Sequence, residues 1–115
     1  METTQAIQSL SALAQPSRLA IFRLLIQAGP RGMAAGQIGE KLDLAPATLS
    51  FHLAGLTRAG LAQSRQEGRF VIYRADFQSM NALVGFLSEN CCGGASCAPS
   101  TGESNETTTR ARRRA

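Results

Sequence analysis

Apolar positions near the start of the chain recur at helical intervals. Ile7, Leu10 and Leu13 follow one another at steps of three within Thr3–Leu13, which predicts an amphipathic helix. Gln15-Pro16-Ser17 breaks this pattern and restarts it, because proline is accepted in the first turn of a helix. The run from Pro16 to Ala28 carries Leu19, Ile21, Phe22, Leu24, Leu25 and Ile26, and reads as the central core helix. Gly29-Pro30-Arg31-Gly32 ends it. Met33-Ala34 fits a short extended piece. Ala35–Leu42, with Ile38 and Leu42 four apart, fits a short helix. After the turn Asp43-Leu44-Ala45, a further helix runs from Pro46 to about Ala59, where Gly60 stops it. Two short helices joined by a tight turn make a helix-turn-helix candidate.

The pattern then changes. In LAQSRQEGRFVIYRA, Leu61–Arg65 and Phe70–Arg74 read as strands, with Gln66-Glu67-Gly68-Arg69 as the turn between them. Asp76 is placed to cap a last helix from Phe77 to about Asn90, on which Phe77, Met80, Val84 and Leu87 share one side with Leu83 alongside. The order is helix, helix, short helix, helix, hairpin, helix: a mainly α fold with a β-hairpin wing, that is, a winged helix-turn-helix. Residues 1–92 form the expected DNA-binding and dimerisation domain. Residues 93–115 form an expected flexible tail that has little to bury and carries Cys97 and a terminal Arg cluster.

Within the Pro46–Ala59 helix, take Leu49 as the inward direction. At about 100° per residue, Leu53 and Leu56 point the same way, as does Ala45 just before the helix. Ala47, Thr48, Phe51 and Arg58 then point broadly outward, and Ser50 and His52 lie on the flanks. A first turn of small and polar residues can approach bases closely. Thr48 and Ser50 can hydrogen-bond to phosphates or bases, and Phe51 can touch a thymine methyl. Arg58, far along the helix, suits a phosphate better than a base. Arg65 and Arg69 flank the hairpin tip and suit backbone phosphates or a minor groove.

Charge changes this picture little. The net charge is +4, but residues 1–92 hold eight Lys/Arg against six acids, so half of the excess sits in the tail. Placement matters more: Arg58, Arg65, Arg69 and Arg74 fall close together in sequence, as a polyanion partner requires. With 43% apolar residues and a small domain, the core is thin, and dimerisation is a reasonable way to bury more surface. The longest oily stretch, Leu19–Ile26, is interrupted by Arg23 and is far short of the roughly 20 residues a membrane span needs. No signal peptide is apparent, and a cytoplasmic protein is expected. No Gly-rich phosphate loop or carboxylate pair is present, so an enzyme is not expected.

The stretch ATLSFHLAGLTRAGLAQSRQEGRFVIYRAD, Ala47–Asp76, resembles the ArsR/SmtB family of bacterial metal-sensing repressors. Leu49-Ser50, His52-Leu53, Leu56 and Ala59-Gly60-Leu61 match its helix motif, and Arg65, Gly68-Arg69 and Tyr73 match its wing motif. LAQPSRLAIFRLL, Leu13–Leu25, looks like its second helix, and the resemblance spans about residues 5–92. It implies a homodimer on operator DNA, with Ile7, Leu10, Phe77, Met80, Val84 and Leu87 at or near the interface. Ala47, Thr48, Ser50 and Phe51 are the implied recognition residues, and Arg65 and Arg69 the wing contacts. Family members often carry a polar residue where Phe51 stands, which favours methyl readout here.

One stretch remains, ENCCGGASC, holding all three cysteines, Cys91, Cys92 and Cys97. A reducing cytosol makes a structural disulfide a poor first reading. The lone histidine, His52, is on the DNA-reading helix, so a four-ligand zinc set is not evident. Three soft thiolates without a fourth ligand suit trivalent arsenic or antimony, which bond three sulfurs in a pyramid. Gly93-Gly94-Ala95-Ser96 is small and flexible enough to return Cys97 to the pair. The vicinal pair also looks like the C-terminal cysteines of some arsenic-responsive members of the family. The expected function is therefore a repressor released by As(III) or Sb(III), with no constitutive cofactor, derepressing metalloid-resistance genes. The alternative is a redox-sensing, or zinc- or cadmium-sensing, repressor of the same fold.

Overall fold

The computed structural model describes residues 1–94. Five helices, α1 (Thr3–Leu13), α2 (Pro16–Ala28), α3 (Ala35–Leu42), α4 (Pro46–Arg58) and α5 (Phe77–Leu87), surround a small sheet. Its strands are β1 (Met33–Ala34), β2 (Ala62–Glu67) and β3 (Phe70–Ala75). They pair antiparallel in the order β1-β3-β2, so the two-residue β1 ties the start of the helix-turn-helix to the wing. This is a winged helix-turn-helix.

Each boundary has a local cause. The Gln15 side chain accepts the Arg18 backbone N–H at 2.8 Å, which caps α2 above Pro16. At the end of α4, the Leu61 N–H donates to the Leu56 carbonyl and the Gly60 N–H to the Thr57 carbonyl, both at 3.0 Å. Gly60 takes φ +79°. These paired bonds are the Schellman closure, and they bring Leu56 and Leu61, both fully buried, together. Asp76 starts α5 by accepting the Ser79 N–H at 2.9 Å.

The hairpin is longer than expected. The ladder runs from Ala62↔Ala75 out to Glu67↔Phe70, leaving a two-residue Gly68-Arg69 loop rather than a four-residue turn. Gly68, at the first central position with φ +61°, supplies the geometry such loops need to follow strand twist. Helix α5 is shorter than expected: it ends at Leu87, not near Asn90. The Ser88 hydroxyl donates back to the Val84 carbonyl at 2.9 Å, the following bonds tighten to i→i+3, and Asn90 turns left-handed at φ 57°.

The core gathers Ile21, Phe22 and Leu25 of α2, Ile38 of α3, and Leu49, Leu53 and Leu56 of α4, with Leu61, Ala62 and Ala75 closing it at the base of the wing. Ala45 does not join the buried stripe and is exposed. As the N-cap it has extended backbone, φ −64° and ψ 149°, so the helical progression does not extend to it. In α1 the inward residues are Ala6, Ser9 and Ala12. Ile7 and Leu10 face outward, 58% and 42% exposed. In α5 only Leu83 is fully buried; Val84 and Leu87 are 58% and 61% exposed. Among the described residues no helix is long and apolar enough to cross a membrane.

Candidate nucleic-acid interface and thiol turn

The exposed face of α4 is built as its periodicity requires. With Leu49, Leu53 and Leu56 buried, Ala47, Thr48, Ser50 and Phe51 are all solvent-exposed near its N-terminal end. Phe51 is 61% exposed, an unusual cost for an aromatic ring. His52, placed on a flank by the helical wheel, is buried, and its ring meets Phe51 edge-on at 5.5 Å between centroids. Its Nδ1 has no hydrogen-bond partner among the described residues.

Arg58 sits eleven residues beyond Ala47, about 16 Å along the helix at 1.5 Å per residue. It lines a polar groove with Gln5, Gln8, Ser9 and Ser79, between α1, the end of α4 and α5. The structure therefore does not bring it together with the reading residues of the first turns.

On the wing, Arg65 is engaged within the protomer. Its Nε pairs with Glu67 at 2.6 Å, and its Nη2 donates to the Arg31 carbonyl at 2.9 Å. It braces the wing against the turn before β1, and so brings Arg31 beside it. Sequence reasoning missed Arg31, because the contact spans 34 residues and has no local signal. Arg69, in the exposed tip, forms no ion pair among the described residues. Arg74 is tied to Gln63, which in turn donates to Asp76 at 2.9 Å. The Ser79 backbone bond, opposed by partial burial and aided by Gln63 and Arg74, holds the Asp76 carboxyl below the usual 3.8.

The thiol pair lies just past α5, in a short 3₁₀ turn, Cys91–Gly94. Asn90 and Cys92 both have left-handed backbone, φ 57°, and this tight reversal sets the Cys91 and Cys92 sulfurs 3.7 Å apart on the surface. Two thiolates sharing a tetrahedral ion, with metal–sulfur bonds of about 2.3 Å, sit about 3.8 Å apart. At Cys92 the left-handed conformation costs about 1–2 kcal/mol, whereas asparagine adopts it readily. Such strain clusters at functional sites. Cys91 is a free thiol, but Cys92 is disulfide-bonded, against the expectation of a fully reduced set. No group of three metal-ligating side chains occurs among the described residues; Cys97 and the terminal Arg cluster lie outside them.

Residues 13–65 match a family described as helix-turn-helix domain. The chain is 40% identical over 83 residues to the HTH-type transcriptional regulator YceK of Bacillus subtilis, covering 70% of this chain and 80% of that protein. It is 30% identical over 90 residues to the transcriptional activator HlyU of Vibrio cholerae, covering 78% and 81%. The chain belongs to the ArsR-type family of winged-helix transcriptional regulators. The HlyU structure superimposes with a TM-score of 0.64 at 31% identity, over 80% of this chain and 99% of that one. The homodimeric winged helix-turn-helix domain of Mb0332 from Mycobacterium bovis, a possible ArsR-family regulator, superimposes with a TM-score of 0.60 at 28% identity, covering 80% and 85%. These relatives are transcriptional regulators, not enzymes. The helix-turn-helix of this ArsR-type protein thus has the DNA-binding fold of these regulators.

Proposed function

We propose that this regulator is a homodimeric repressor of metalloid-resistance genes, released from its operator by trivalent arsenic or antimony. The observation that carries the reading is the thiol turn: two sulfurs 3.7 Å apart immediately after α5. Cys97, five residues on, is the proposed third ligand. Arsenous acid exchanges three hydroxyls for three thiolates and releases three waters, a condensation that needs no fourth ligand. Because Cys92 is disulfide-bonded, capture requires its prior reduction, which a reducing cytosol provides.

The dimer is proposed from the exposed apolar residues Ile7, Leu10, Val84 and Leu87 on the first and last helices. Phe77 and Met80, half-buried against the core, border that surface. Two reading heads then meet successive major grooves of a pseudo-palindrome. Closing the thiol turn around a metalloid at the end of an interface helix changes the spacing of the heads. Release by a factor of 10² needs only about 2.7 kcal/mol of coupling.

A second reading is favoured by the disulfide at Cys92: a redox-sensing repressor, in which two thiols give two electrons and two protons to a peroxide, yielding a disulfide and water. One experiment separates the two. The anisotropy of a labelled duplex from the protein's own upstream DNA is followed with reduced protein. Arsenite, zinc or peroxide is then titrated in. Near-stoichiometric release by arsenite alone, lost in Cys91→Ser/Cys92→Ser, supports the metalloid reading. Release by peroxide alone supports the redox reading. Release by arsenite in the double variant refutes the cysteine assignment.

A further inference from the structure

A glycine inside a helix needs a reason, since it disfavours the helix by about 1 kcal/mol relative to alanine. Gly55 lies in the middle of α4 and is buried. A Cβ there would meet the Arg18 guanidinium carbon and Nε at 3.0 Å. Gly55 is thus the gap through which the Arg18 side chain, from the first turn of α2, crosses the recognition helix. Beyond that crossing the guanidinium carbon stands 5.5 Å from the centroid of the exposed Phe51 ring, within reach of a cation–π contact.

Thr48, Phe51 and Gly55 are spaced i, i+3, i+7, so they form one stripe along the outer face of α4. Arg18 lies against the two later members of that stripe, on the face that carries the reading residues. Its charge is not neutralised: the only ion pair among the described residues is Arg65–Glu67. Its Nε is buried without a hydrogen-bond partner among the described residues. A half-desolvated cation without a carboxylate favours an incoming anion, because an anion restores what burial removed. On a DNA-reading face the available anion is a backbone phosphate.

We infer that Arg18 belongs to the DNA-reading head: it contacts a phosphate beside the major groove and, by stacking on Phe51, holds that ring toward the bases. The inference rests on DNA binding by α4 and is independent of what the cysteines sense. Arginine serves both tasks, because its planar group can stack and hydrogen-bond at once, whereas lysine offers charge without a stacking plane.

The test measures binding of full-length wild type, Arg18→Gln, Arg18→Lys and Gly55→Ala by anisotropy across a salt series. The probes are the upstream duplex, the same duplex with thymines replaced by deoxyuracil, and a scrambled duplex. For Arg18→Gln the slope of log K against log salt is expected to fall by about 0.9 per lost phosphate contact, so about 1.8 for a dimer. Arg18→Lys and Gly55→Ala, which keep the charge but disturb the stack, are expected to lose the wild type's preference for thymine over deoxyuracil. An unchanged slope in Arg18→Gln overturns the phosphate contact. Unchanged thymine preference in both charge-retaining variants overturns the positioning of Phe51. Should Arg18→Gln fail to fold by circular dichroism, Arg18→Met, which also removes the charge, takes its place in the salt series, and an unchanged slope there overturns the phosphate contact. A wild type that binds neither duplex refutes the DNA-binding reading itself, a result distinct from all of these.

Discussion

The exposed apolar residues of α1 and α5 allow a quantitative prediction for Val84→Asp/Leu87→Asp. Ile7, Leu10, Val84 and Leu87 remain 58%, 42%, 58% and 61% exposed in the protomer. Complete burial of such a side chain contributes about 1.5–3 kcal/mol, so covering the remaining half contributes about 1 kcal/mol each. Eight side chains in a dimer then supply roughly 8 kcal/mol, against an association cost of about 4–15 kcal/mol. The dimer therefore has little to spare. Removing Val84 and Leu87 from both protomers withdraws about 4 kcal/mol, or about 10³-fold in the dimer dissociation constant. The introduced carboxylates add a desolvation penalty in the same direction. Both positions are exposed in the protomer, so the variant should keep the wild-type circular dichroism spectrum. Sedimentation equilibrium from nanomolar to high micromolar concentration measures the constant directly. A variant that dimerises as tightly as wild type places the interface elsewhere and refutes the reasoning.

Other substitutions address other parts of the fold. Gly32→Ala should be destabilising by about 2–4 kcal/mol, because φ is +78° and a Cβ would run into the Tyr73 carbonyl; chemical denaturation measures it. Asp76→Ala removes the cap of α5 and should cost about 1 kcal/mol at pH 7. The folded-state pKa of Asp76 is depressed, so its contribution is fully present above its unfolded value and disappears as pH falls through the folded one. Thermal melts of wild type and Asp76→Ala should therefore differ at neutral pH and converge in acid below 3.8. Glu67→Gln removes the ion-pair partner of Arg65 at the wing. As an exposed pair it should change stability by less than about 1 kcal/mol. The freed arginine should steepen the salt dependence of DNA binding.

Much of the fold was legible because its determinants are local. Gln15-Pro16 starts a helix, Gly60 ends one through a Schellman closure and Asp76 caps one, and each acts within a few residues of itself. The same holds for the first turn of α4, whose small and polar face follows from three buried leucines at fixed spacing. The end of α5 was misplaced, because the apolar spacing runs past Leu87 while the Ser88 hydroxyl and the left-handed Asn90 end the helix. Hydrophobic periodicity does not register that competition for backbone carbonyls.

The sequence alone determined the order of elements, the helix-turn-helix, the wing and the clustering of the cysteines, since each is encoded in spacing along the chain. Only the tertiary structure decided which face of α1 is inward. Its small residues Ala6 and Ser9 pack closely while Ile7 and Leu10 are left outside, because close helix contact favours small side chains. It also decided that Arg65 braces the turn at Arg31 and that Gly55 makes room for Arg18 beside Phe51. Those contacts join residues more than thirty positions apart, and such a pairing exists only once packing has brought the elements together.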